Sequence, residues 1–156
     1  MRVGRRRIYG GVAPTGAMVE RVLVPVDDSE LADRALEFAL ETFRDASIDV
    51  LYVVPVSTSI AEELVGLTTE AELDRVVEER AAPVLDRARQ LATEHGREVN
   101  TAVAVGNPSR VIADRAGDAD LVVIGGHGRR IPSRILLGSV TEKVVRRSPV
   151  PVTVVR

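Results

Sequence analysis

Residues 121–147 read LVVIGGHGRRIPSRILLGSVTEKVVRR. Leu121, Val122, Val123 and Ile124 form an unbroken apolar run, the pattern of a strand covered on both faces in a parallel sheet. Gly125 and Gly126 break it, and Gly128 follows His127. The peptide has no period through Arg129, Arg130, Pro132, Ser133 and Arg134, and a helix is predicted to open at Gly138-Ser139. Ser139 is the predicted N-cap, with Glu142 completing a capping box. A strand, a glycine loop and a helix N-terminus together form an anion site. Glycine lets backbone N–H groups come close to a phosphate, and the first helical turn adds unpaired N–H groups and the positive end of a dipole. The loop leaves the carboxyl end of a strand, where open α/β sheets bind ligands.

Neither of the two commonest nucleotide loops is present. The single lysine, Lys143, lies inside the predicted helix, so there is no Gly-x-x-x-x-Gly-Lys-Ser/Thr, and Ile131 stands where a Gly-x-Gly-x-x-Gly needs its third glycine. What is present is Gly125-x-x-Gly128, nine residues, then Gly138-Ser139. This spacing resembles the ATP-binding signature of the universal stress protein family, at all four positions. Two further segments, VPVDDSE beginning at Val24 and VAVGNPSRVIADRAGDADLVVIGG beginning at Val103, resemble the first-strand and Gly-x-Pro segments of that family. The resemblance covers residues 20–156.

Composition narrows the field. At 156 residues the chain is one domain, large enough for a real core, and with no tryptophan that core must be built from Val, Leu, Ile and Ala. The absence of cysteine excludes disulfides, thiolate metal sites and a cysteine nucleophile, and two histidines leave little for histidine chemistry. The net charge of −2 argues against a nucleic-acid partner, which would want a clustered basic face. No apolar run approaches the ~20 residues that span a bilayer. The expectation is a cytoplasmic protein that uses neither nucleic acid nor membrane.

Residues 1–19 hold Arg2, Arg5, Arg6 and Arg7, several glycines and no acid. They are expected to form a disordered basic tail before a domain at 20–156, with Met18 a candidate start. RVLVPV (21–26) reads as a buried strand with Pro25 near its end. Asp27-Asp28-Ser29 offers caps for a helix through about Phe43, with Leu31, Ala35, Leu36, Ala39 and Leu40 on one face. Residues 48–54 read as a second strand. A helix is predicted over 69–95, capped by Thr68 or Thr69, stopped at Gly96 and kinked or divided by Pro83. His95 in its last turn suits the negative helix end. Residues 99–105 read as a third strand, Gly106-Asn107-Pro108 as a turn, and a short helix follows from about Ser109. Residues 150–155, VPVTVV, read as a fifth strand at a sheet edge.

This alternation predicts a single doubly wound, five-stranded parallel sheet of Rossmann-like type, with helices on both faces. The resemblance implies the strand order 3-2-1-4-5. Asp27 has two readings: a turn former, or a carboxylate at the ligand edge that accepts from a ribose hydroxyl or holds Mg²⁺ between phosphates. The resemblance implies an adenine-nucleotide site made by Pro25, Val26, Asp27, Val53, Val54, Gly106, Gly125, Gly128, Arg129, Gly138, Ser139 and Val140, with ATP as ligand and Mg²⁺ at Asp27. Asp28 departs from the family pattern, where glycine is usual. A homodimer through the strand from Val150 to Val155 is implied, as is an unknown protein partner for the nucleotide-bound form. Two alternatives stay open. One is slow ATP hydrolysis, against which the sequence offers no positioned base or phosphate-gripping lysine. The other is a dimeric interaction module with an empty pocket.

Overall fold

The computed structural model describes residues 18–57, 61–62, 65–66, 69–127 and 137–156. The elements are β1 (Arg21–Val26), α1 (Glu30–Thr42), β2 (Ser47–Pro55), α2 (Glu70–Glu94), β3 (Asn100–Gly106), α3 (Pro108–Ala116), β4 (Leu121–Gly125), α4 (Ser139–Arg147) and β5 (Val152–Val155). The strands form one parallel sheet in the order β3-β2-β1-β4-β5. The predicted fold class and strand order are both observed. Among the described residues, no helix is long and apolar enough to cross a membrane.

Side-chain alternation along the strands builds two cores. Val22, Val24, Ile48, Val50 and Val123 face α1 and α2, where Ala35, Leu36, Leu40, Ala81, Leu85 and Ala88 cover them. Leu23, Leu51, Val53, Val122 and Ile124 face the other way, onto Ile112 and Ala116 of α3 and Val144 of α4. The small alanines of α1 and α2 let both helices lie close to strands made of Val and Ile, which offsets the lack of aromatic bulk.

Local sequence chemistry sets most boundaries. Ser29 caps α1 by accepting from Ala32 N–H at 3.2 Å. Thr69 and Glu72 form a complete capping box at α2. The left-handed turn after α2 falls on Gly96, φ +66. Asn107 caps α3, and Pro108 occupies its first turn, so that helix starts one residue before the predicted Ser109.

Pro83 does not divide α2, which runs unbroken over 25 residues. The helix bond that proline cannot make would go to the carbonyl of Glu79; both residues are exposed, so water can serve that oxygen. β5 begins at Val152 rather than Val150. Ser148 donates to the carbonyl of Val150 at 2.8 Å and ties that residue into a turn, and Pro151 contributes only its carbonyl, which accepts from Val122 N–H at 3.0 Å.

The amino edge of the sheet is densely tied. One oxygen of Asp120 accepts from the N–H groups of both Glu20 and Arg21, each at 3.0 Å. Arg21 pairs with Asp49 at 2.5 Å, and Asn100 donates to Asp49 at 2.8 Å. Arg97 donates to three carbonyls, those of Leu40, Phe43 and Ala46, at 2.9, 3.0 and 2.6 Å.

Candidate functional site

The sheet opens where its winding reverses. From β1 the chain winds through α1 to β2 and β3, then returns through α3 to β4 on the other side of β1. Pairing of β1 with β2 continues from Arg21 to Val26, whereas pairing of β1 with β4 covers only Val22 and Leu23. Pro25, which has no N–H to donate, comes after the last residue of β1 paired to β4. A cleft of about 430 Å³ lies at this carboxyl edge, within the size range of small-molecule sites.

Its floor is apolar. Leu51, Val53, Ile112 and Ile124, the upper surface of the α3/α4 core, line it with Pro25 and Val26. One wall is the β1–α1 turn. Asp27 is half-buried, and its Oδ1 accepts from Ser29 N–H at 2.9 Å. The turn-former reading of Asp27 is therefore realised, and the carboxylate also lines the cleft. Asp28 lines it too and is exposed. Tyr52 stands beside them half-buried, its phenol pKa raised first by burial and then by the charges of Asp28 and Asp27, with Arg80 opposing.

The facing wall is the start of α4. Gly138, at φ −63 and ψ 154, is the N-cap, and no side chain caps the helix. Ser139 is thus the first helical residue, not the cap. The carbonyl of Gly138 already accepts from Glu142 N–H at 2.9 Å. Glu142 falls one residue beyond the capping-box position and pairs with Arg146 at 2.8 Å instead. The Ser139 hydroxyl is consequently not spent on the backbone. Two bonds fix this helix end to β4. Gly138 N–H donates to the Gly126 carbonyl at 2.8 Å, and the buried hydroxyl of Thr141 donates to the Gly125 carbonyl at 2.8 Å. The remaining first-turn N–H groups, at Ser139, Val140 and Thr141, have no acceptor inside the helix, and all three residues line the cleft.

The cleft brings together eight of the residues singled out in the sequence: Pro25, Val26, Asp27, Val53, Gly125, Gly138, Ser139 and Val140. Val54 is 1% exposed and points to the opposite sheet face from Val53, away from the cleft. Gly106 pairs with Pro55 at the end of β3, so β2 separates it from Asp27, and Pro108 reaches the cleft in its place. Gly128 and Arg129 lie outside the described residues, as do Arg130 and Arg134. Gly125 has a reason of its own: a Cβ there would sit 2.9 Å from the backbone of Leu31, so the glycine lets α1 approach β4.

Sequence reading passed over Leu51, Tyr52, Ile112, Ile124 and Thr141. Their strand or helix membership was readable, but which face they turn to the cleft depends on the sheet order. Among the described residues, no group of three or more His, Asp or Glu side chains could hold a metal ion. Asp27 offers a hard oxygen donor of the type Mg²⁺ takes, and such an ion draws its other ligands from phosphates and water.

Comparison with known proteins agrees with this geometry. The model of the universal stress protein family matches residues 18–156. Universal stress protein MJ0531 of Methanocaldococcus jannaschii is 31% identical over 146 residues, covering 89% of this chain and 83% of its own. The structure of universal stress protein UspA from Lactobacillus plantarum superposes with a TM-score of 0.71 at 30% identity, over 90% of this chain and 100% of that one. A universal stress protein from Archaeoglobus fulgidus, solved in complex with dAMP, superposes with a TM-score of 0.63 at 25% identity, over 89% of this chain and 99% of that one. With the strand order, the cleft at the reversal point and a family match over nearly the whole chain, this protein belongs to the universal stress protein family.

Proposed function

We propose that the cleft binds an adenine nucleotide, ATP with Mg²⁺, and that the chain works as a cytoplasmic homodimer whose nucleotide-bound form is recognised by a protein partner. One observation carries this reading: an apolar floor large enough for a purine meets, across from Asp27, a helix N-terminus with no side-chain cap. The base lies against Val53 and Leu51, and Asp27 takes the ribose hydroxyls or a Mg²⁺ held by the phosphates. The phosphates lie at Gly138, Ser139 and Val140 and along the loop from Gly125 through Gly128 and Arg129. The dAMP bound by the A. fulgidus relative supports an adenine ligand. β5 is an edge strand whose four residues are all half-exposed, a surface suited to pairing with a second copy.

Calorimetric titration with ATP and Mg²⁺ tests the reading. Gly138→Val, shown to be folded, is the matched variant, because Gly138 lines the cleft and its backbone angles are ones that valine adopts. Binding in the micromolar range is expected for the wild type, and a loss of at least tenfold for the variant. Absence of binding by folded wild-type protein overturns the reading. The result would then favour a dimeric module with no nucleotide, the reading that an acid at position 28 supports.

A further inference from the structure

One peptide unit at the end of β4 is held between two parts of the molecule. Its carbonyl, that of Gly125, accepts the buried hydroxyl of Thr141 in the first turn of α4 at 2.8 Å. Its N–H, that of Gly126, donates to the carbonyl of Val155 at 2.7 Å. A trans peptide is planar with its C=O and N–H pointing in opposite directions, so the Thr141 hydroxyl, the peptide and the Val155 carbonyl form one continuous relay from α4 to β5. The next carbonyl, that of Gly126, accepts from Gly138 N–H at 2.8 Å and adds a second tie to α4. The unit has no slack around it. A Cβ on Gly125 would lie 2.9 Å from the Leu31 backbone, and one on Gly126 would lie 3.3 Å from the Val155 carbonyl oxygen.

Val155 ends β5, which is only four residues long, so this rung is a large part of what fixes the strand. The carbonyls of Pro151 and Val155 both face β4, accepting from Val122 and Gly126. By the alternation of a strand, Val152 and Val154 turn their N–H and C=O groups to the open edge. We infer that the Gly125–Gly126 peptide couples cleft and edge: a nucleotide in the cleft strengthens pairing of a second copy along β5, and pairing strengthens nucleotide binding by the same factor. The inference rests on the adenine-nucleotide and homodimer readings and adds to them the regulation of one by the other. A nucleotide whose phosphates take the N–H groups of Ser139 and Val140 holds the first turn of α4 in place. The Thr141 hydroxyl then stays on the Gly125 carbonyl, and the rung to Val155 is strengthened through the shared peptide. A strand ordered beforehand loses less freedom when a second copy pairs with it.

The test is sedimentation of the full chain over a range of concentrations, with and without saturating ATP and Mg²⁺, for wild type, Thr141→Val and Gly126→Ala. Each variant breaks one end of the relay. Valine removes the hydroxyl at nearly constant size, and the alanine Cβ presses on the Val155 carbonyl. ATP is expected to tighten wild-type dimerisation by about fivefold or more, within the range of ordinary coupling between sites, and each variant should cut that ratio to less than about twofold. In wild type alone, ATP should bind more tightly above the dimer dissociation constant than below it, by the factor that ATP confers on dimerisation. A wild-type dimer constant that bound ATP leaves unchanged would overturn the proposal, with the adenine-nucleotide reading left standing. So would a full ratio in either variant. A wild type that binds ATP and stays monomeric at every concentration overturns the proposal together with the homodimer reading. Failure of the wild type to bind ATP overturns it together with the nucleotide reading.

Discussion

Replacing Arg97 by alanine removes a fastener that the fold uses three times. The guanidinium reaches back from the turn after α2, where Gly96 at φ +66 aims the chain, to the carbonyls of Leu40, Phe43 and Ala46. Leu40 lies in the last turn of α1, whose carbonyls have no helical partner, and Ala46 immediately precedes β2. Leu40 and Ala46 are 2% and 4% exposed, so water does not easily replace the lost donor. A net bond from a charged donor contributes about 1.5–3 kcal/mol when fully desolvated. Arg97 is half-exposed, so about 1 kcal/mol per bond is the better figure, which gives roughly 2–4 kcal/mol for Arg97→Ala. For a domain of this length the melting temperature should fall by about 5–12 °C. Thermal unfolding followed by circular dichroism reads this directly, and urea titration should show a lower midpoint with an unchanged m-value. Arg97→Lys keeps the charge but not the fork, and should recover less than half of the loss. A fall under about 2 °C for alanine, or full recovery by lysine, would refute the reasoning.

Gly125→Ala should destabilise the protein by about 1–3 kcal/mol in urea titration, since the new Cβ lies 2.9 Å from Leu31 backbone atoms and α1 must shift to admit it. Wild-type stability for this variant would mean that the glycine serves a ligand alone. The His95 ring accepts the last-turn role expected of it: it bonds the Leu91 carbonyl at 2.8 Å, with Glu41 3.4 Å from its other nitrogen. Its pKa is raised above 6.5, first by the Leu91 carbonyl and then by Glu41, with desolvation opposing. A raised folded-state pKa means that the contribution is fully present below the unfolded value and is lost as pH rises through the folded one. The melting temperature of the wild type relative to His95→Asn should therefore decline from pH 6 to pH 8; a flat difference would contradict this.

The sequence made some of this legible and hid the rest for identifiable reasons. The apolar run before Gly125 and the spacing to Gly138-Ser139 located both the sheet edge and the helix that faces the cleft, because each signal is local. The choice between Gly138 and Ser139 as cap failed because both residue types occupy that position, and the carbonyl bond that decides it depends on the backbone. Gly106 does not line the cleft with Asp27: the turn it begins is visible in sequence, while the strand β2 that intervenes is known only from the pairing. Tyr52 and Ile112 could not be read as cleft residues, since neither departs from an ordinary buried position until β1 and β4 part. Arg97 gave no signal at all. Its three acceptors lie 51 to 57 residues earlier in the chain.

The ties at the amino edge bear on how this chain can change over time. Asp120, Asp49, Asn100 and Arg97 hold the starts of the strands, at the opposite end of the sheet from the cleft. Ser139, at the cleft, is exposed and makes no cap bond. Substitutions there therefore cost little folding free energy, and selection on ligand preference meets little opposition from selection on stability. Descendants of this chain can drift in what they bind, or cease to bind, while still folding. At the amino edge the same number of changes would be purged.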